Sequence, residues 1–94
     1  MISDTKYADL EYACGVAENR VIKVEQEVAQ HGAEVERLKQ RLATIEPGTK
    51  KYLRLQSEYE DALDDQHNLE CYLKLVRKER DNIQAELRRM INEH

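Results

Sequence analysis

Apolar residues recur at alternating steps of three and four along most of the chain, which is the spacing of a coiled-coil seam. The first run consists of Tyr7, Leu10, Cys14, Ala17, Val21, Val24, Val28, His31, Val35, Leu38, Leu42 and Ile45. The second run consists of Tyr52, Leu55, Tyr59, Ala62, Gln66, Leu69, Leu73, Val76, Arg80, Ile83, Leu87 and Met90. Each run predicts one long amphipathic helix, and we call these positions the seam.

A Pro-Gly pair separates the two runs. Pro47 disfavours helical geometry at Glu46, and Gly48 can adopt the positive φ that a tight turn requires. Thr49 is suited to cap the helix that follows. The sequence therefore predicts one domain over residues 1–94, with helix one over about 4–46, a turn over about 47–49 and helix two over about 50–93.

The heptad frame of the second run is displaced from that of the first, and this displacement favours a hairpin. A continuous coiled coil would absorb the slip by local overwinding. A chain folded back at Pro47 accommodates the displacement of the heptad frame without overwinding. Each a position then faces a d position, as in the pair Val21 and Val76. We predict an all-α, long antiparallel coiled-coil hairpin that self-associates into a helical bundle. The alternative is an extended parallel coiled-coil dimer interrupted at Pro47, which attractive charge pairs along helix one support.

Charged residues beside the seam predict contacts between the two helices of the hairpin. Arg20 is expected to approach Glu79. On the other side of the seam, Glu18 is expected to meet Arg77. Glu25 is expected to lie unfavourably against Glu70.

Three seam positions are polar. His31 is expected to face Gln66 and to fix the register of the hairpin, as a single polar core position does in other coiled coils. Carboxylates nearby leave two other interpretations, a pH-sensitive layer or a divalent-metal site. The aliphatic part of the Arg80 side chain is expected to lie over Ala17, and its guanidinium group is expected to reach water.

A second stripe runs along helix one, away from the seam. It consists of Ala8, Tyr12, Gly15, Asn19, Ile22, Gln26, Ala29 and Ala33, again at steps of four and three. Small residues at this spacing allow another helix to approach closely, with Ile22 as the apolar knob. We predict that this outer stripe is a protein interface; the alternative is an ordinary solvent-facing surface.

Composition narrows the function classes. Charged residues make up 36% of the chain and aromatic residues only 5%, so a thick globular core is excluded. The formal net charge of -4 argues against nucleic acid as a partner, and no apolar stretch is long enough for membrane insertion.

Cys14 and Cys71 lie at levels that do not meet within a hairpin and are expected to be free thiols. Asp64 and His67 are expected to point outward into solvent.

The sequence contains no glycine-rich phosphate loop and no set of nucleophile, base and orienting residue. We therefore expect a protein that is not an enzyme, uses no cofactor and has no metal site. The expected function is a structural module for oligomerisation and protein binding, of the kind used in cytoskeletal, centrosomal, kinetochore or vesicle-tethering scaffolds. The alternative is a small adaptor or chaperone that binds a partner's amphipathic helix. We expect protein partners, a homodimer formed through helix one, and a cytoplasmic location with cytoskeletal association.

Overall fold

The chain is an all-α helical hairpin. The structure, a computed structural model, describes residues 4–93. Within that range helix α1 spans Asp4–Ala43, helix α2 spans Lys50–Asn92, and no strand is present. The predicted fold class is confirmed, and the extended parallel alternative is not adopted. The contacts divide the chain into two compact units, a terminal unit whose described residues are 4–25 and 72–93, and a turn unit of residues 26–71.

The turn between the helices is longer than the sequence pattern predicts, because α1 ends at Ala43 instead of near Glu46. Thr44 ends the helix, since its amide nitrogen and its hydroxyl both donate to the carbonyl of Arg41, at 3.1 and 2.7 Å. Pro47 also prevents continuation, because it has no N–H to donate to the Ala43 carbonyl and its ring would clash with that group.

The start of α2 follows the prediction closely. Gly48 has a φ of 90°, a conformation that an L side chain rarely adopts. The Thr49 hydroxyl accepts a hydrogen bond from the Tyr52 amide at 3.1 Å and donates to the Glu46 carbonyl at 3.0 Å. Thr49 is therefore the N-cap of α2. This cap is needed, because the first turn of α2 contains no acidic residue to offset the helix dipole.

In the turn unit, the core lies between the antiparallel segments of α1 and α2 and consists of seam residues. Its buried members are Val35, Leu38, Leu55 and Ala62, and the half-buried Leu42, Ile45 and Tyr59 pack against them. Seam residues from both sides of the turn therefore form this core together.

In the terminal unit, the buried apolar side chains again occupy seam positions. They are Ala17, Val21, Val24, Leu73, Val76 and Met90. Val21 is the most deeply buried large side chain, with 1% of its surface exposed. Tyr7, at the outermost seam position, is exposed. The packing is therefore less complete at the start of α1, whereas Met90 is buried near the end of α2.

Neither helix, over the described residues, combines the length and the apolar character that crossing a membrane requires.

Candidate protein-interaction face

In the terminal unit, the outer stripe of α1 is exposed along its whole length. Its members there are Ala8, Tyr12, Gly15, Asn19 and Ile22. Two of them are large and apolar, since 76% of Tyr12 and 53% of Ile22 is accessible to solvent. The structure therefore places the predicted interface residues of this unit together on one accessible face of one helix.

The surface around Gly15 is open. A Cβ atom built at Gly15 would have no atom of the described residues within 4 Å. The glycine is thus not required for a close contact within the chain. The open space allows the backbone of another helix to approach the stripe at this point.

The outer stripe differs in charge from the matching face of α2. None of its members is charged, although charged residues make up 36% of the chain. On α2, the equivalent outward positions in the terminal unit include Lys74, Lys78, Asp81 and Arg88. A face meant only for solvent would be expected to resemble that of α2. The absence of charge distinguishes the outer stripe from the matching face of α2.

In the turn unit, the remaining stripe residues are Gln26, Ala29 and Ala33, and all three are exposed. Here the stripe is small and polar and offers no large apolar side chain. The apolar anchors of the predicted interface therefore lie in the terminal unit.

Sequence reasoning missed a second exposed apolar pair. Tyr72 and Leu75, on α2 in the terminal unit, are 46% and 65% exposed. They lie three residues apart and off the seam, so helical spacing was the signal that could have identified them. They add apolar surface to α2 but do not form a continuous stripe.

The polar layer of the turn unit is organised differently from the prediction. His31 and Gln66 are both half-buried at seam positions. However, the His31 Nε2 donates to the carbonyl oxygen of Ala62 at 2.9 Å, and the Gln66 side-chain amide donates to Glu70 at 3.4 Å. Each polar group therefore has a partner of its own. The hydrogen bond from His31 joins the two helices at Ala62, which lies four residues before Gln66 on α2.

The surroundings of His31 do not form a metal centre of the usual kind. Glu27 and Glu34 line a shallow depression beside it. Among residues 4–93, no three His, Cys, Asp or Glu side chains converge to hold a metal ion.

Ion pairs connect the helices of the terminal unit, and the predicted pairing of Glu18 with Arg77 was wrong. Arg20 lies 3.3 Å from Glu79, as predicted. Arg77, however, lies 3.8 Å from Glu25, with which it forms an ion pair. Glu18 in turn accepts a hydrogen bond of 2.8 Å from Gln84. The predicted pairing of Glu18 with Arg77 is thus displaced by one heptad.

Arg80 occupies its seam position as expected. Its side chain is half-buried, and Ala17 is buried. The guanidinium group is not simply hydrated, because Nε and an Nη atom lie 3.1 and 3.0 Å from the carboxylate of the neighbouring Asp81. This two-point contact holds the head of Arg80 at the edge of the seam.

Both cysteines are free thiols. Cys14 is half-buried in the terminal unit, whereas Cys71 is exposed in the turn unit. The Cys71 Sγ lies 3.7 Å from the Nε2 of His67, one helical turn earlier on the same face of α2. Sequence reasoning placed both side chains outward but did not connect them, although their spacing of four residues was the available signal.

Comparison with known protein families, with curated proteins and with solved structures finds no match to this chain.

Proposed function

We propose that this chain is a non-enzymatic structural module that self-associates through the outer stripe of helix one. The proposal rests on the exposed, uncharged stripe in the terminal unit. Tyr12 and Ile22 provide its exposed apolar side chains, and the space beside Gly15 is open. The biological setting we propose is a cytoplasmic scaffold, such as a cytoskeletal or vesicle-tethering assembly, in which the hairpin joins copies of itself or other proteins.

Packing favours a helix as the occupant of this face. Small side chains let two helix axes approach to about 8 Å, and a larger residue then inserts between the side chains of the facing helix. Ile22 has about half of its surface still available for burial. Complete burial of such a side chain contributes about 1.5–3 kcal/mol, so one Ile22 supplies about 1 kcal/mol. A symmetric dimer doubles every such contribution, because each contact occurs twice.

The uncharged outer stripe limits the charge repulsion between two copies of the chain at the proposed contact. Two chains of formal charge -4 repel each other, and any self-contact must therefore avoid further like-charge pairs. The outer stripe meets this condition, since none of its members is charged. The second candidate function is the adaptor or chaperone, which would bind a partner's amphipathic helix on the same face.

The test is a charge insertion in the outer stripe. In the double variant Gly15→Glu with Ile22→Lys, we expect the mass from multi-angle light scattering to fall from that of an oligomer to 11.1 kDa, the mass of one chain. The helical circular dichroism should be retained, because neither residue lies in the seam. The protein should be kept reduced and free of metal ions, so that only non-covalent association is measured.

A matched control places the same charges on the outer face of helix two. In Leu53→Lys with Ala85→Glu, an apolar residue of similar exposure (57%) and a second small exposed residue are replaced. We expect this control to keep the parent mass. Equal loss of mass in both variants, or no loss in the stripe variant, would contradict the proposed face. A parent that is monomeric at every concentration would reject self-association and favour the adaptor.

A further inference from the structure

Two metal-binding side chains lie next to each other on the outer face of α2. His67 and Cys71 are four residues apart in the turn unit, and both are exposed. Residues at this spacing stand one above the other on a helix surface. The His67 Nε2 and the Cys71 Sγ are the atoms that face each other, at 3.7 Å.

This distance is the span of two ligands on one zinc ion. Zinc binds a histidine nitrogen at about 2.0–2.1 Å and a cysteine sulfur at about 2.3 Å, in tetrahedral geometry. Two such bonds at the tetrahedral angle place the nitrogen and the sulfur about 3.6 Å apart. The observed separation of 3.7 Å matches this span, and the two side chains would turn from facing each other to facing the ion. The helix therefore holds both donor atoms in a geometry ready for chelation.

We propose that His67 and Cys71 form a two-ligand site for Zn²⁺ on the surface of helix two. The imidazole would bind through the lone pair of Nε2, and the thiol would bind as thiolate after its proton passes to solvent. A thiolate and an imidazole select zinc and similar soft or borderline cations, whereas Mg²⁺ and Ca²⁺ require oxygen ligands.

The expected ion is exchangeable and accessible to solvent. No third His, Cys, Asp or Glu joins the pair among the described residues, so water completes the coordination of the ion. With two protein ligands, the remaining positions of a tetrahedral ion are open to water or to a ligand from another molecule. The site differs from the outer stripe, because it lies on the other helix and consists of donor atoms instead of apolar surface.

Cobalt provides the readout, because Co²⁺ bound to a thiolate gives a charge-transfer absorption in the near ultraviolet. We expect titration of the reduced, metal-free chain with Co²⁺ to saturate at one ion per chain, and Zn²⁺ to displace the band. His67→Ala should weaken binding about 100-fold, because loss of one ligand removes the effective concentration that the chelate provides. Cys71→Ser should abolish the band, because it removes the thiolate. Cys14→Ala should leave the band unchanged.

A composition-matched variant separates chelation from simple thiol binding. In Cys71→Ser with Asn68→Cys, the thiol stays exposed on helix two but lies next to His67 in sequence, where side chains do not face each other. We expect this variant to bind as weakly as His67→Ala. A parent without the band, or equal affinity in the parent and the His67→Ala variant, would overturn the proposal. Equal affinity in the matched variant would also overturn it.

Discussion

Val21 offers a direct test of the seam, because it is the most deeply buried large side chain of the terminal unit, with 1% of its surface exposed. Val21→Ala removes two buried carbon atoms and leaves a small cavity between α1 and α2. Val16 lies on the same helix in the same unit and is 39% exposed, so Val16→Ala is the matched control. The two substitutions are chemically identical and differ in burial.

The expected cost follows from this burial. Transfer of two methylene-sized groups to water contributes about 1.6 kcal/mol, and the cavity raises this to about 2–2.5 kcal/mol. Alanine has a higher helix propensity than valine, which adds about 0.5 kcal/mol to the free energy of unfolding of both variants. The net loss in the free energy of unfolding is thus about 1.5–2 kcal/mol for Val21→Ala. For Val16→Ala, which is already 39% exposed and leaves no enclosed cavity, it is about 0.5 kcal/mol.

Thermal unfolding followed by circular dichroism at 222 nm measures the difference. A loss of 1 kcal/mol lowers the Tm of a domain of this size by about 4–8 °C. We therefore expect Val21→Ala to melt about 6–16 °C below the parent and Val16→Ala to melt within about 3 °C of it. All proteins are compared at one concentration, so that any association affects them equally. Equal Tm shifts in the two variants would refute the assignment of Val21 to the core.

The polar layer and the turn supply two more predictions. Replacing both His31 and Gln66 with Leu should raise the Tm, because apolar seam residues pack more stably than polar ones. Light scattering should then detect additional oligomers, because the register of the hairpin becomes less unique. A single species of unchanged mass would argue against the register role. Gly48→Ala should lower the free energy of unfolding by about 1–2 kcal/mol in urea titrations, because an L residue is strained at a φ of 90°. The exposed Ser57→Ala serves as its control, and an equal effect of the two changes would show that the turn conformation contributes nothing.

The hydrophobic pattern predicted the fold well because the residues that it identifies are the ones that become buried between the helices. Each buried apolar residue among the described ones occupies a seam position. The turn was also predictable, since Pro47, Gly48 and Thr49 each have a distinct backbone or capping role. The end of α1 was not, because it depends on the Thr44 hydroxyl, which competes for the Arg41 carbonyl.

Polar contacts were harder to predict because one side chain has several partners within reach. His31 illustrates this, since its imidazole bonds the backbone carbonyl of Ala62 instead of a side chain at the facing level. A heptad diagram represents each residue as a point and contains no carbonyl groups. It therefore predicts which residues are half-buried but not which atoms they bond.

The displaced ion pairs have a general cause in the direction of side chains on a helix. Each Cα–Cβ bond tilts toward the N-terminus of its own helix, and in an antiparallel pair these tilts oppose each other. Taking Val21 and Val76 as one level, Glu25 lies beyond that level on α1 and leans back toward it, while Arg77 leans toward Glu25 from α2. The two therefore converge to 3.8 Å. Glu18 leans away from Arg77 and contacts Gln84 instead. Arg20 and Glu79 converge in the same sense as Glu25 and Arg77, which is why that pair was predicted correctly. Predicting ion pairs in this antiparallel hairpin therefore requires the direction in which each side chain leans, because levels alone assigned Glu18 to Arg77.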